Sequence, residues 1–257
     1  MNGKLAKILD SRFSKFNSSI SSVSPSQTIV NSLQYKFDAD FNNSPTKQII
    51  GEEQTFGTLV FTNIDVRITS VISDKSTGEK LSEDFKKLIF KDISTSKSNG
   101  QRYSFDNSIW ITINTDNLSQ VTKSSIVRRC NNSLKWKNVN NVTKIEPCFI
   151  ESRATNNELN VDKYMSTPES TLIVSTQGND ISRTIVLNQR FLFGNPSQAY
   201  KITAIQNHLN QDTYDDNSVP IIKFTMELDS VNNKDDLVNR IADNSHLYPN
   251  NVTSTDW

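Results

Sequence analysis

Few residues in this chain are placed to do chemistry. Histidine occurs only at His208 and His246, each in a stretch crowded with Asn and Asp, and neither sits in a paired-histidine helix of the kind that holds zinc. Asp212, Asp215 and Asp216 cluster in "NQDTYDDNS" and offer oxygen ligands for calcium. The ligand spacing and glycine of a calcium loop are missing, and a polar connection between Ile205 and Ile221 accounts for the acids more simply. Cys130 and Cys148 cannot complete a four-ligand zinc site without histidines nearby. They flank the Asn-rich turn "NVNNVTK" (Asn138 to Lys144) almost symmetrically, which would set them near one another across a hairpin. A disulfide is geometrically conceivable there, whereas a reducing compartment favours two buried free thiols. No phosphate-binding glycine loop and no serine nucleophile elbow occurs. An enzyme is therefore the least supported class, and no cofactor or metal is implied.

One stretch has a composition suited to nucleic acid. "VRRCNNSLKWK" interleaves Arg128, Arg129, Lys135 and Lys137 with Trp136, a mixture able to contact phosphates and stack a base. Period-two alternation puts Trp136 on an apolar face away from both lysines, which reads better as a core aromatic with a basic edge. Lys plus Arg number 28 against 28 Asp plus Glu, without the basic excess of a dedicated nucleic-acid binder. If the protein surrounds DNA, Arg102, Arg128 and Arg129 are the residues expected to line the channel.

The elements that would carry these residues are mostly strands. Apolar residues make up 35 % of 257, below the roughly 45–50 % usual for globular domains, so cores should be small and helped by neighbours. Asn fills turns that Gly would usually occupy, because it tolerates positive φ. No run has signal-peptide character or approaches the roughly 18 apolar residues of a membrane span, which implies a protein kept in the cytoplasm unless it leaves within a particle.

Leu5, Ile8, Leu9, Phe13 and Phe16 recur at three- and four-residue spacing on one stripe of an expected N-terminal helix, which should end before Pro25. The stripe either packs on the protein's own body or forms an interface with a partner. "FGTLVFTNIDVRITSVI" (Phe56 to Ile72) predicts one long strand or a bent pair, and "STGEKLSEDFKKLIFKD" (Ser76 to Asp92) fits helix or buried strand equally.

The most informative pattern is a repeated hairpin. "QRYSF", a turn at Asp106-Asn107 and a strand opening on Trp110 are echoed by "QRFLF", a turn at Gly194-Asn195-Pro196 and a strand opening on Tyr200. Matching the Ile-Thr pairs of the two copies needs a one-residue shift relative to the aromatics, so tandem duplication and two unrelated hairpins both remain open. Ile126, Cys130, Leu134 and Trp136 would share one face of a following strand, and Ile222, Phe224, Met226 and Leu228 one face of its counterpart. Pro147 marks an edge or a bulge. "NNKDDLVNRIADN" (Asn232 to Asn244) predicts a short terminal helix. The expected fold is mainly β: two small antiparallel barrel or sandwich modules behind an N-terminal amphipathic helix. The organisation is a helix and Ser-rich linker over 1–27, a first β module over 28–137, a second over 138–245, and a tail over 246–257.

The blocks "IVRRCNNSLKWK", "EPCFIES", "TLIVSTQGNDISRTIVLNQRFLFGNPSQAYKITAIQ" and "IIKFTMELDSVNNKDDLVNRIAD" resemble a family of structural proteins from tailed bacteriophages of Gram-positive hosts. These are neck proteins of the head-closure or head–tail connector type, and the resemblance spans about Ile126 to Asp243. It implies a virion protein assembled in the host cytoplasm as a homo-oligomeric ring. A portal or adaptor protein would lie above it, tail proteins below, DNA would pass through, and no membrane would be involved. A tail-terminator or tail-adaptor role is the alternative within the structural class. A carbohydrate- or nucleic-acid-binding β module is the alternative outside it.

Overall fold

The computed structural model describes residues 25–71, 83–92, 97–117, 121–152, 171–206 and 221–247. Helix α1 (Pro25–Asn42) comes first. Strands β1 (Lys47–Glu53), β2 (Phe61–Ser70), β3 (Phe85–Phe90), β4 (Arg102–Phe105), β5 (Ser108–Asp116) and β6 (Lys123–Arg129) close into a barrel. Strands β7 (Asn132–Lys137), β8 (Thr143–Ser152), β9 (Thr171–Gln177), β10 (Arg190–Phe193), β11 (Gln198–Gln206) and β12 (Ile221–Asp229) make a second, nearly closed six-stranded barrel. The fold is mainly β and antiparallel, as the composition predicts.

Both barrels are wired alike. Read from its own first strand, each runs first, second, third, sixth, fifth, fourth. The repeated hairpin is the visible part of this shared topology, β4–β5 in one barrel and β10–β11 in the other. Tyr103 pairs with Trp110 and Phe191 with Tyr200, so the aromatics are the equivalent residues. Register slips between Thr112 and Asn114 in β5 and between Ile202 and Ala204 in β11, at matching positions. The offset of the Ile-Thr pairs is therefore a substitution pattern around one conserved geometry, a bulge that bends each strand round its barrel. The entry to each hairpin matches too. Gly100 (φ 77°) and Asn188 (φ 66°) both adopt the left-handed conformation that Gly and Asn tolerate. Gly100 N–H donates to Thr112 O (2.8 Å) and Asn188 N–H to Ile202 O (3.0 Å).

Core packing explains the strands whose type the sequence left open. In β3, Leu88 and Phe90 are fully buried in the first core beside Tyr103, Trp110 and Val127. That two-residue period decides for strand over helix. The second core gathers Leu134, Trp136, Phe191, Phe193, Phe224 and Met226, which confirms Trp136 as a core aromatic.

Several expectations are corrected. The alternating strand expected across Ile126 to Trp136 is two strands in different barrels, breaking at Cys130 and Asn131. Val127 rather than Ile126 points into the first core, because the break restarts the alternation. The sheets consequently divide just before Asn132 rather than after Lys137. The stretch from Pro25 to Asn42, expected as the end of a linker and the start of a β module, is a helix, and Pro25 can open it because the first turn needs no N–H from it. Asn232 to Asn244 forms turns rather than a helix. Asp235 accepts from Asn232 N–H (2.7 Å) and Asp243 N–H (2.7 Å), and Asp236 from Asn239 N–H (2.9 Å), so side chains satisfy the backbone that a helix would have used. Pro147 lies in an interior strand, yet β8 joins β9 only from Cys148 onward, so its missing N–H costs no ladder bond there. Cys148 pairs with Asn132, and both thiols are free. Leu5, Ile8, Leu9, Phe13, Phe16, His208 and the acids at 212, 215 and 216 lie outside the described residues.

The abundance of Asn has a structural use beyond turns. Three asparagine side chains each bind both polar groups of one backbone residue, at Ile150 and Arg190 in place of a neighbouring strand. Asn117 pairs with Lys97 (3.0 and 2.7 Å), Asn131 with Ile150 (2.9 and 3.2 Å) and Asn244 with Arg190 (2.7 and 3.1 Å). Asn244 in this way covers the start of β10. Arg190 completes the attachment: its guanidinium donates to Asp229 (2.8 Å), to both oxygens of Asp235 (2.9 and 3.0 Å) and to Ser230 O (2.6 Å). Residues 230–247 are thereby strapped to the second barrel.

Asn244→Leu leaves the buried Arg190 N–H and C=O without partners. Denaturant titration should show a loss of about 1–3 kcal/mol, against a smaller loss for Asn131→Ala at its more exposed site. Burial works against the Asp235 carboxylate, but the hydrogen bonds from Arg190, Asn232 and Asp243 outweigh it and hold its pKa below the usual Asp range. Its contribution is thus full above the unfolded value of about 3.9 and is lost as pH falls through the lower folded value. Asp235→Asn should destabilise most at neutral pH, with the difference from wild type shrinking toward about pH 3 and below; equal differences at both ends would refute this role.

Candidate functional site at the barrel junction

Two of the three arginines singled out in the sequence, Arg102 and Arg128, converge on the seam between the barrels. Arg102, first residue of β4, occupies the same place in its hairpin as Arg190 in the other, and each fastens the unit that follows it in the chain. Arg102 is fully buried. Its Nη2 donates to Glu146 Oε1 on β8, and its Nη1 lies 3.7 Å from Glu53 Oε1 on β1. The expectation that Arg102 lines a DNA channel is corrected, because the guanidinium faces protein carboxylates with no exposure to solvent.

Amides hold this buried charge in place. Gln177 Nε2 donates to Glu53 Oε2 (2.7 Å) and Gly100 O (3.0 Å), while its Oε1 accepts from Gly57 N–H (2.8 Å) and Asn179 Nδ2 (2.9 Å). Asn179 also donates to Glu146 (2.7 Å). Gly57 is there because its φ of 82° and a neighbouring Asn179 side chain leave no easy place for a Cβ. Burial pushes the Glu146 carboxyl above its usual range, opposed by Arg102 and the hydrogen bonds from Asn179 and Thr176.

Arg128 makes a second connection across the seam. Its guanidinium sits over the rings of Phe85 (4.9 Å) and Phe149 (4.4 Å) and pairs with Glu151 on β8. An apolar patch of Ile111, Phe149 and Ile221, with Cys130 against it, fills the rest. Burial pushes the Cys130 thiol up to about 12 and raises Cys148 well above its ordinary value, so both stay protonated and poor as nucleophiles. Arg129 lies outside the seam, about half exposed and bridged to Asp84. Of the three arginines it is the most exposed. Exposed His246 sits in a short 3-10 turn.

A second feature escaped the sequence reading. A groove of about 1020 Å³ lies between α1 and the first barrel, lined by Gln34 and Asp38 of the helix and by Ile49, Ile64, Asp65 and Phe90 of the strands. At one side Lys97 Nζ binds both oxygens of Glu52 (2.8 and 3.1 Å) over the Phe90 ring (4.7 Å). Tyr103 donates to the same Glu52 (3.3 Å), and burial followed by that carboxylate raises the phenol well above its ordinary pKa. The signal for α1 was present in the spacing of Val30, Gln34, Phe37 and Phe41, its inward stripe, but Pro25 and the surrounding serines obscured it. Among the described residues no group of three or more His, Cys, Asp or Glu is arranged to hold a metal, and no helix is long and apolar enough to cross a membrane.

Residues 132–227 match the family model of the YomX C-terminal domain, a phage-derived domain. The second barrel is similar to a phage domain. The match opens on the first residue of β7 and ends within β12, so it takes in the six strands of that barrel. Comparison of the chain with curated proteins and with solved structures finds no match.

Arg102→Met strands Glu53 and Glu146 in the seam without their cation. Stability should fall by about 3–5 kcal/mol in denaturant unfolding. Adding Glu146→Leu to that variant should recover much of the loss; a double variant as unstable as the sum of the singles would show that the two residues act separately.

Proposed function

We propose that the chain is a structural protein of the phage neck, a non-catalytic subunit of a ring that closes the head below the portal and joins it to the tail. The observation that carries this reading is the similarity of the second barrel to a phage-derived domain over its whole strand set. The construction of the junction supports it. Two barrels fastened by a buried ion network make a rigid spacer, which is what a load-transmitting layer between two assemblies requires.

The exposed apolar residues support a protein with several contacts. Ile29, Leu33 and Tyr35 stand out from α1, while Val139, Val142 and Ile145 stand out around the β7–β8 hairpin, each about half exposed or more. Patches on α1 and on the second barrel suit heterologous, head-to-tail contacts between subunits, the kind that close into rings. Arg129 is the most exposed of the three arginines and so the first candidate for DNA, and a DNA role predicts binding that weakens steeply with salt.

The test is direct. Mass spectrometry of gradient-purified particles of the phage encoding the chain should find it in stoichiometric amount. Electron microscopy of the chain co-expressed with that phage's portal protein should show a ring seated on the portal. Absence from particles would overturn the virion reading, and a ring that ignores the portal but seats on tail-tube protein would establish the tail-side alternative instead.

A further inference from the structure

The groove beside α1 has an apolar floor and an acidic rim. Ile49 is 67 % exposed on it, next to the partly buried Ile64 and one edge of the buried Phe90. Asp38, Asp65 and Asp92 stand around it, with Lys91 among them. Asp65 shares Lys47 and Lys91 at 3.6 Å each, and Lys97 is taken up by Glu52. By count of the lining residues, Asp38, Glu52, Asp65 and Asp92 outnumber Lys91 and Lys97, and the rim is acidic even with Lys47 included.

The chain itself carries a segment of complementary chemistry immediately before α1. Leu5, Ile8, Leu9, Phe13 and Phe16 repeat at helical spacing, and Lys4, Lys7, Arg12 and Lys15 surround them against a single acid, Asp10. We propose that the segment Leu5–Ile20 seats its apolar stripe in the groove of its own chain, with its basic residues on the rim aspartates. The lengths agree. Gln34 lies about 14 Å along α1 from Pro25, and a segment of this length coiled as a helix spans about 24 Å. Residues 21–24 reach at most about 14 Å, and a connection that short between helices favours an antiparallel pair lying side by side. A tether this short also gives the chain's own segment a large advantage in effective concentration over that of another copy. The inference stands independently of the neck reading, since it concerns one chain alone.

Carbodiimide coupling of the full-length protein, in an equimolar mixture of unlabelled and ¹⁵N-labelled chains, separates the outcomes. The expected result is amide cross-links from Lys7 or Lys15 to Asp38, Asp65 or Asp92 within chains of one isotope. Phe13→Asp should lower their yield about tenfold, the change that losing one seated aromatic implies, while near-UV circular dichroism shows the barrels intact. Cross-links joining unlike isotopes would assign the groove to a neighbouring copy's segment and overturn the proposal. So would the absence of any link to the rim, or a yield indifferent to Phe13→Asp.

Discussion

A guanidinium with no access to water is the constraint around which this molecule is arranged. Arg102 cannot be buried alone, because an uncompensated charge in the interior costs several kcal/mol, so Glu146 must come to it from the second barrel and Glu53 from the first. Once both carboxylates are committed, their remaining lone pairs need donors, and Gln177, Asn179 and the Leu59 N–H of the β1–β2 turn are drawn in to supply them. The relative placement of the barrels follows from that chain of obligations. Apolar contact through Ile111, Phe149 and Ile221 adds area, but area alone would tolerate sliding, whereas directional hydrogen bonds do not.

Repetition explains how such a junction can be built from simple parts. Both barrels place an arginine at the head of the same hairpin, on the strand that follows a left-handed Gly or Asn. In the first barrel the arginine reaches forward to the second barrel. In the second it reaches forward to Asp235 and the C-terminal strap. One motif thus serves as a fastener twice, with the partner supplied by whatever segment comes next. Asparagine plays a parallel part at the sheet margins, where a side-chain amide supplies the donor and acceptor of a missing strand and closes an edge that would otherwise invite another chain.

For function, these features argue for a body whose internal geometry is held and whose surface is free to vary. The Cys130 and Cys148 thiols and the buried Tyr103 phenol are held in their neutral forms by burial. What distinguishes the surface is apolar side chains on both barrels and a groove beside α1. Those are features of contact, and the similarity of the second barrel to a phage-derived domain gives that contact its setting.

Much of the fold was legible in the order of residues. Alternation in β12, the aromatic hairpins, the low apolar content and the turn-rich Asn runs are local signals, and local backbone preferences act on them wherever they occur. They determined a mainly β protein with a repeated hairpin and placed Trp136 in a core. The break at Cys130 and Asn131 was not legible, because two strands separated by two residues keep the composition of one, and only barrel closure assigns each to its own sheet. The loss of a helix at Asn232 to Asn244 was decided by aspartates that bind nearby backbone N–H groups and the distant Arg190. Most plainly, nothing in the neighbourhood of Arg102 distinguishes a buried arginine from a DNA-facing one. Its partner Glu146 lies far along the chain, and charge burial depends on what the fold brings within reach, which is a property of tertiary structure alone.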